Sequence, residues 1–224
     1  MKGYVGVLRG LMLASWVWVV FAIAMDIDQE NQILAFAIKH FGHQAEGRLK
    51  PWFDMMHGAL ALNEKEKLQR VNSYFNRIPN VSDWTHWGES DYWASPVDLL
   101  STNGGDCEDF ALAKYFTLRE LGVPNERLRL TYTKAYLRQT GQIQSHMVLT
   151  YYAAPGAEPL VLDNLTDEIN LASRRTDLTP TYSFNVTTLW AARERQKGRG
   201  GVAAEVLSRW SELRASMLRM DTLQ

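Results

Sequence analysis

The chain has 224 residues, 46% of them hydrophobic and 22% charged, which is enough for one well-filled core. A formal net charge of −1 gives no electrostatic reason to expect nucleic acid as a partner. The single cysteine, Cys107, excludes an internal disulfide, and no His/Cys spacing suggests zinc.

At the N-terminus, Lys2 and Arg9 precede an uncharged apolar run from Leu11 to Phe21, and Ala22-Ile23-Ala24 supplies a small-x-small cleavage pattern. The run is shorter than the ~20 residues of a comfortable membrane span. Residues 1–24 therefore read as a signal peptide and residues 25–224 as one exported domain in a Gram-negative periplasm, with no stable membrane insertion after cleavage. An uncleaved signal anchor is the competing reading.

Amphipathic periodicity predicts helices over 31–41, over 50–60, and over 64–76 with Asn63 as N-cap. Residues 83–93, with Trp84, Trp87 and Trp93, show no period and read as an ordered loop. Ser95-Pro96 opens a short helix, and the glycine pair Gly104-Gly105 introduces a longer one, from Cys107 to about Leu121. Residues 128–133, 145–152 and 159–163 read as strands, the last two as antiparallel neighbours. A helix over 187–195 and a C-terminal amphipathic helix containing Leu207, Trp210 and Leu213 complete an α+β domain.

Cys107 lies at a helix start, where unpaired N–H groups and the dipole favour a thiolate. A thiol nucleophile needs a base and a group that orients the base. His146 follows 39 residues later at the head of one strand, and Asp163 a further 17 residues on, at the end of the next. A hairpin of that length can bring both to one sheet edge, against the N-terminus of the cysteine helix. The backbone N–H of Cys107 is the expected oxyanion donor. Taken singly, each residue has a plainer reading: a packed thiol, a satisfied strand histidine and a turn aspartate.

Asp106, Glu108 and Asp109 crowd the thiol with carboxylates. Helix capping accounts for acids at this position, yet their charge opposes thiolate formation. A hard cation such as calcium would neutralise them.

The order Cys, His, Asp in this helix-then-hairpin layout resembles the transglutaminase-like branch of the papain superfamily. The words Gly-Gly-Asp-Cys-Glu-Asp-Phe-Ala, His-Met-Val-Leu and Leu-Asp-Asn-Leu resemble the bacterial transglutaminase-like cysteine proteinases of the LapG type. The resemblance implies a papain-like/transglutaminase-like core with Cys107, His146 and Asp163 as catalytic triad. It implies calcium dependence with family ligands at Asp106 and Glu108, to which Asp109 is added. It further implies a large surface adhesin as substrate, cut at a di-alanine site in its N-terminal region to release a biofilm. The implied partner is the periplasmic domain of an inner-membrane cyclic di-GMP receptor, which sequesters the protease; the Trp84–Trp93 loop is the candidate contact. An acyl transferase on the same fold and a non-catalytic periplasmic binding module are the alternatives.

Overall fold

The computed structural model describes residues 25–185 and 189–191, together with Arg209 and Leu213. The expected signal segment, 1–24, lies outside the described residues. Among those described, no helix is long and apolar enough to cross a membrane.

Six helices precede the sheet. α1 (Ile27–Phe41) starts four residues before the expected position, because Asp26 and Gln29 form a reciprocal capping box. α2 (Gln44–His57) corrects the reading that a helix begins near Lys50. Pro51 lies inside it, and burial of Leu49, Trp52, Phe53 and Met56 on one face outweighs the lost backbone bond. α3 (Glu64–Phe75) is capped by Asn63, whose side chain accepts from the Glu66 N–H at 3.1 Å. Part of the tryptophan-bearing loop is a short helix, α4 (Asp83–His86). α5 (Pro96–Thr102) opens with Ser95 as cap and Pro96 in its first turn, and α6 (Cys107–Glu120) carries the cysteine.

The sheet is antiparallel throughout, in the order β4-β3-β2-β1-β5-β6. β1 (Leu128–Leu137) and β2 (Gln142–Tyr151) pair along their full length, from Leu128↔Tyr151 to Leu137↔Gln142. β3 (Leu160–Leu162) pairs antiparallel with β2, as the hairpin reading expects. β4 (Asn170–Leu171), β5 (Leu178–Phe184) and β6 (Leu189–Ala191) carry no sequence signal strong enough to announce them. β6 also corrects the expected helix over 187–195: Leu189, Trp190 and Ala191 pair with β5, and the remainder of that segment lies outside the described residues. Of the C-terminal helix, only Arg209 and Leu213 are described; both are helical, and Leu213 is buried in the core.

α6 packs on β2, β1, α3 and α5. Leu128 and Leu130 of β1 and Met147, Leu149 and Tyr151 of β2 join Phe110, Leu112 and Leu118 of α6 in the core. The result is an α+β architecture in which the N-terminus of the cysteine helix meets the middle of β2.

Candidate active site and acidic cluster

Backbone geometry sets the position of the thiol. Asn103 ends α5 in the left-handed conformation, with φ of 60°. Gly105 then passes so close to α6 that a Cβ would lie 2.5 Å from Asp109 Oδ2 and 2.6 Å from Leu99 Cδ1, so only glycine fits. The buried Asp109 carboxylate fastens this turn: Oδ1 accepts from the Ala94 N–H at 2.7 Å and Oδ2 from the Asp106 N–H at 3.2 Å. It closes the capping box of α6.

Cys107 is half-buried, and its sulfur donates to Glu108 Oε2 at 2.8 Å. Burial first, then the charge of Glu108 and the hydrogen bond to it, and then the charge of Asp106, push the thiol well above its ordinary pKa; a contact from the Met147 backbone N–H works the other way. Burial and the neighbouring carboxylates thus work against the thiolate that the helix start favours.

His146 is the first buried residue of β2 after an exposed stretch, and it lies one residue before Met147, whose N–H meets the sulfur. Its Nε2 stands 2.7 Å from Asp163 Oδ1, with both side chains buried. Asp163, one residue beyond β3, is held on every side. Oδ1 also accepts from the Leu165 N–H at 3.0 Å, and Oδ2 accepts from Arg175 Nη2 at 2.7 Å. Asn76, the C-cap of α3, donates to the Asp163 carbonyl at 2.9 Å and so ties the segment down. Burial alone would raise the Asp163 pKa. The hydrogen bond and charge of His146, the Leu165 N–H and Arg175 overcome that and hold it well below the usual carboxylate range. The second ring nitrogen of His146, Nδ1, is buried without a hydrogen-bond partner.

The acidic cluster is larger than the three residues flanking the cysteine. Oxygens of Asp83, Asp106 and Asp109, and of Asp83, Asp91 and Glu108, form overlapping groups within 4.8 Å, as do Asp106, Glu108 and the Cys107 sulfur. Asp83 and Asp91 escape a sequence reading because no spacing relates them to Cys107; only the return of the 83–91 segment over the helix start does. Asp83 Oδ2 accepts from the Tyr92 N–H at 2.6 Å, while Asp83 Oδ1 and Asp106 Oδ1 are buried without a partner. Burial, then Glu108, lifts Asp106 to about 8, and burial lifts Asp83 to about 6. Glu108 and Asp109 are raised as well, burial being the first cause for each. Converging carboxylates with orphaned oxygens and raised pKa values are short of positive charge. Their all-oxygen donor set suits a hard divalent cation. Arg209 supplies part of the missing charge, pairing with Asp91 Oδ2 at 2.8 Å.

Comparison with known proteins follows the same lines. Residues 49–187 match the family model of the bacterial transglutaminase-like cysteine proteinases. The calcium-bound structure of Legionella pneumophila LapG is 37% identical, covering 84% of this chain and 98% of that one at a TM-score of 0.69. The EGTA-treated form of the same protein is 38% identical, covering 85% and 97% at a TM-score of 0.69. No curated protein sequence matches the chain.

Proposed function

Given that this chain belongs to the bacterial transglutaminase-like cysteine proteinases, we propose that it is a calcium-dependent periplasmic endopeptidase with Cys107 as nucleophile, His146 as general base and Asp163 as its orienting acid. The observation that carries this reading is the fixed His146–Asp163 pair at 2.7 Å, with Nδ1 unpartnered and the Cys107 sulfur at the adjoining Met147 N–H. Asp163 fixes one face of the ring, so the opposite nitrogen is the one left to take the thiol proton.

Cys107 delivers its proton to His146 and attacks the scissile carbonyl carbon. The Cys107 backbone N–H, in the first turn of α6, receives the developing oxyanion. Collapse breaks the C–N bond as His146 returns the proton to the leaving amine. Water, activated by the same imidazole, then hydrolyses the thioester and restores the thiol. Asp106 and Glu108 would hold the calcium ion, with Asp83, Asp91 and Asp109 in reach. When bound, the ion supplies the positive charge that this cluster lacks. With Glu108 engaged as a ligand, its hold on the Cys107 thiol would weaken, and His146 would be the base that takes the proton.

The substrate under this reading is the N-terminal region of a large surface adhesin, cut at a di-alanine site so that a biofilm disperses. Inhibition comes from the periplasmic domain of an inner-membrane cyclic di-GMP receptor. Support for substrate, receptor and compartment comes from the LapG-type resemblance and the signal-like N-terminus. Trp84, 72% exposed on α4, adds an apolar contact of the kind that interfaces use. The test incubates the protein with an adhesin N-terminal fragment, with calcium or with EGTA, and sequences the new ends. Calcium-dependent cleavage, lost in a folded Cys107→Ala variant, is expected. Undiminished cleavage by that variant overturns the reading.

A further inference from the structure

Among the ion pairs of the described residues, one reaches the acidic cluster beside the thiol. Arg209 comes to it from 118 residues further along the chain. Its Nε stands 2.8 Å from Asp91 Oδ2, and its Nη1 donates to the Asp91 backbone carbonyl. Arg209 and Leu213 are both helical and four residues apart, so they share a helix face. Leu213 is only 3% exposed in the core, which anchors the guanidinium over the cluster.

Asp91 is at the same time a candidate cation ligand, with an oxygen within 4.8 Å of oxygens of Asp83 and Glu108. Its negative charge disfavours ionisation of Asp83, Asp106 and Glu108, while Arg209 works in the opposite sense on Asp83. One carboxylate is thus claimed from two sides. A guanidinium and a divalent ion held on the same carboxylate repel, so each weakens the other's hold. The geometry shows which gives way. Nε is close enough to Asp91 for a hydrogen bond but not aligned for one. That contact is therefore coulombic, and weaker than an aligned charge-assisted pair. Arg209 is also half-buried, so its head can turn to water when Asp91 is withdrawn. Calcium, by contrast, gathers several oxygens of the cluster at once.

We propose that Arg209 is the protein's own counter-ion for this cluster and competes with calcium for Asp91, so that it weakens calcium binding and sets the concentration at which the site fills. The proposal rests on the calcium reading given above. Without calcium, the guanidinium offsets the Asp91 charge from both its side chain and its backbone. Binding of the ion draws Asp91 to the metal and returns Arg209 to solvent. Arg209 acts on the metal site through Asp91, not on the reacting atoms. A guanidinium that merely oriented Asp91 for the metal would strengthen calcium binding instead, so the sign of the effect decides.

Calorimetric titration of the calcium-stripped full chain with calcium chloride, at fixed pH and ionic strength, tests the competition. Arg209→Gln is expected to bind calcium about five-fold more tightly than the parent, or better. Unchanged or weaker binding by the folded variant overturns the proposal. Arg209→Lys keeps the charge but cannot hold side chain and backbone of Asp91 together, so a smaller gain in the same direction is expected. It carries the test should the glutamine variant not fold, and the absence of any gain in it then overturns the proposal. Asp91→Asn alone should weaken calcium binding, and adding Arg209→Gln to it should recover less than about two-fold. A gain as large as in the parent background would show that Asp91 is not the shared group, and the competition falls. Calcium binding by the parent that is indifferent to Arg209 removes this proposal and leaves the calcium reading intact. Calcium binding by neither the parent nor Arg209→Gln removes both.

Discussion

The two halves of the candidate site differ in electrostatic completeness. On the strand side, Asp163 is met by His146, the Leu165 N–H and Arg175, so its negative charge is fully matched in the fold itself. On the helix side, Asp83, Asp106, Glu108 and Asp109 are all pushed toward protonation by burial, and the thiol donates to a carboxylate. One half is finished by the chain; the other is left short of a positive charge. Under the proposed mechanism this contrast puts control on the thiol side, where burial and the neighbouring acids oppose the thiolate that His146 would generate.

The largest effects should come from cutting across both halves. Under the proposed mechanism, Cys107→Ala or His146→Ala is expected to lower kcat for adhesin-fragment cleavage by on the order of 10⁴-fold or more. Asp163→Asn should cost about 10²–10⁴-fold, through a mis-set ring tautomer, with near-normal KM.

Breaking the helix half alone sharpens the contrast. Glu108→Gln removes a negative charge beside the sulfur, so iodoacetamide should alkylate Cys107 in EGTA on the order of ten-fold faster than in the parent. An unchanged rate would locate the barrier elsewhere. Stability should follow the same asymmetry. Acids whose folded pKa is raised contribute stability that is complete below their unfolded pKa near 4 and is lost as pH rises through the folded values, about 6 for Asp83 and about 8 for Asp106. In EGTA, Tm is therefore expected to fall by several degrees between pH 4.5 and 8, and calcium should flatten the slope. A pH-independent Tm in EGTA would contradict the charge deficit.

The smallest effect concerns Lys114 on α6. Its side chain is wholly buried and its Nζ has no hydrogen-bond partner; burial pulls its pKa down to about 7 against the opposing pull of Asp163 and Asp167. A lysine with a lowered folded pKa is destabilising below its unfolded value near 10.4, increasingly so as pH falls toward 7. Lys114→Met should raise Tm by a few degrees at pH 7 and by less at pH 10.

Much of the scaffold is legible in local chemistry. Asn63, Ser95 and Pro96 announce helix starts because capping is settled within four residues. The glycine pair marks the turn before Cys107, and the alternation of β1 and β2 marks the strands. What is illegible is long-range. Pro51 looks like a helix start because the core that overrides it is assembled from distant segments. Leu189–Ala191 looks helical because its pairing with β5 is invisible to periodicity. Within the site, Asp83 and Asp91 join Glu108 only after the chain folds back, and Arg175 reaches Asp163 from an irregular segment that carries no motif.

The hairpin of β1 and β2 has a consequence for how this protein can vary in length. Residues 142–145 are exposed, and from His146 onward β2 is buried. A residue deleted from the exposed tip only trims an overhang. One deleted between 147 and 151 would turn the imidazole to the opposite side of the sheet, since neighbouring strand positions face opposite ways. Insertions and deletions should accordingly be tolerated up to Ser145 and abolish activity immediately after it, a boundary that a scan of single-codon deletions would draw directly.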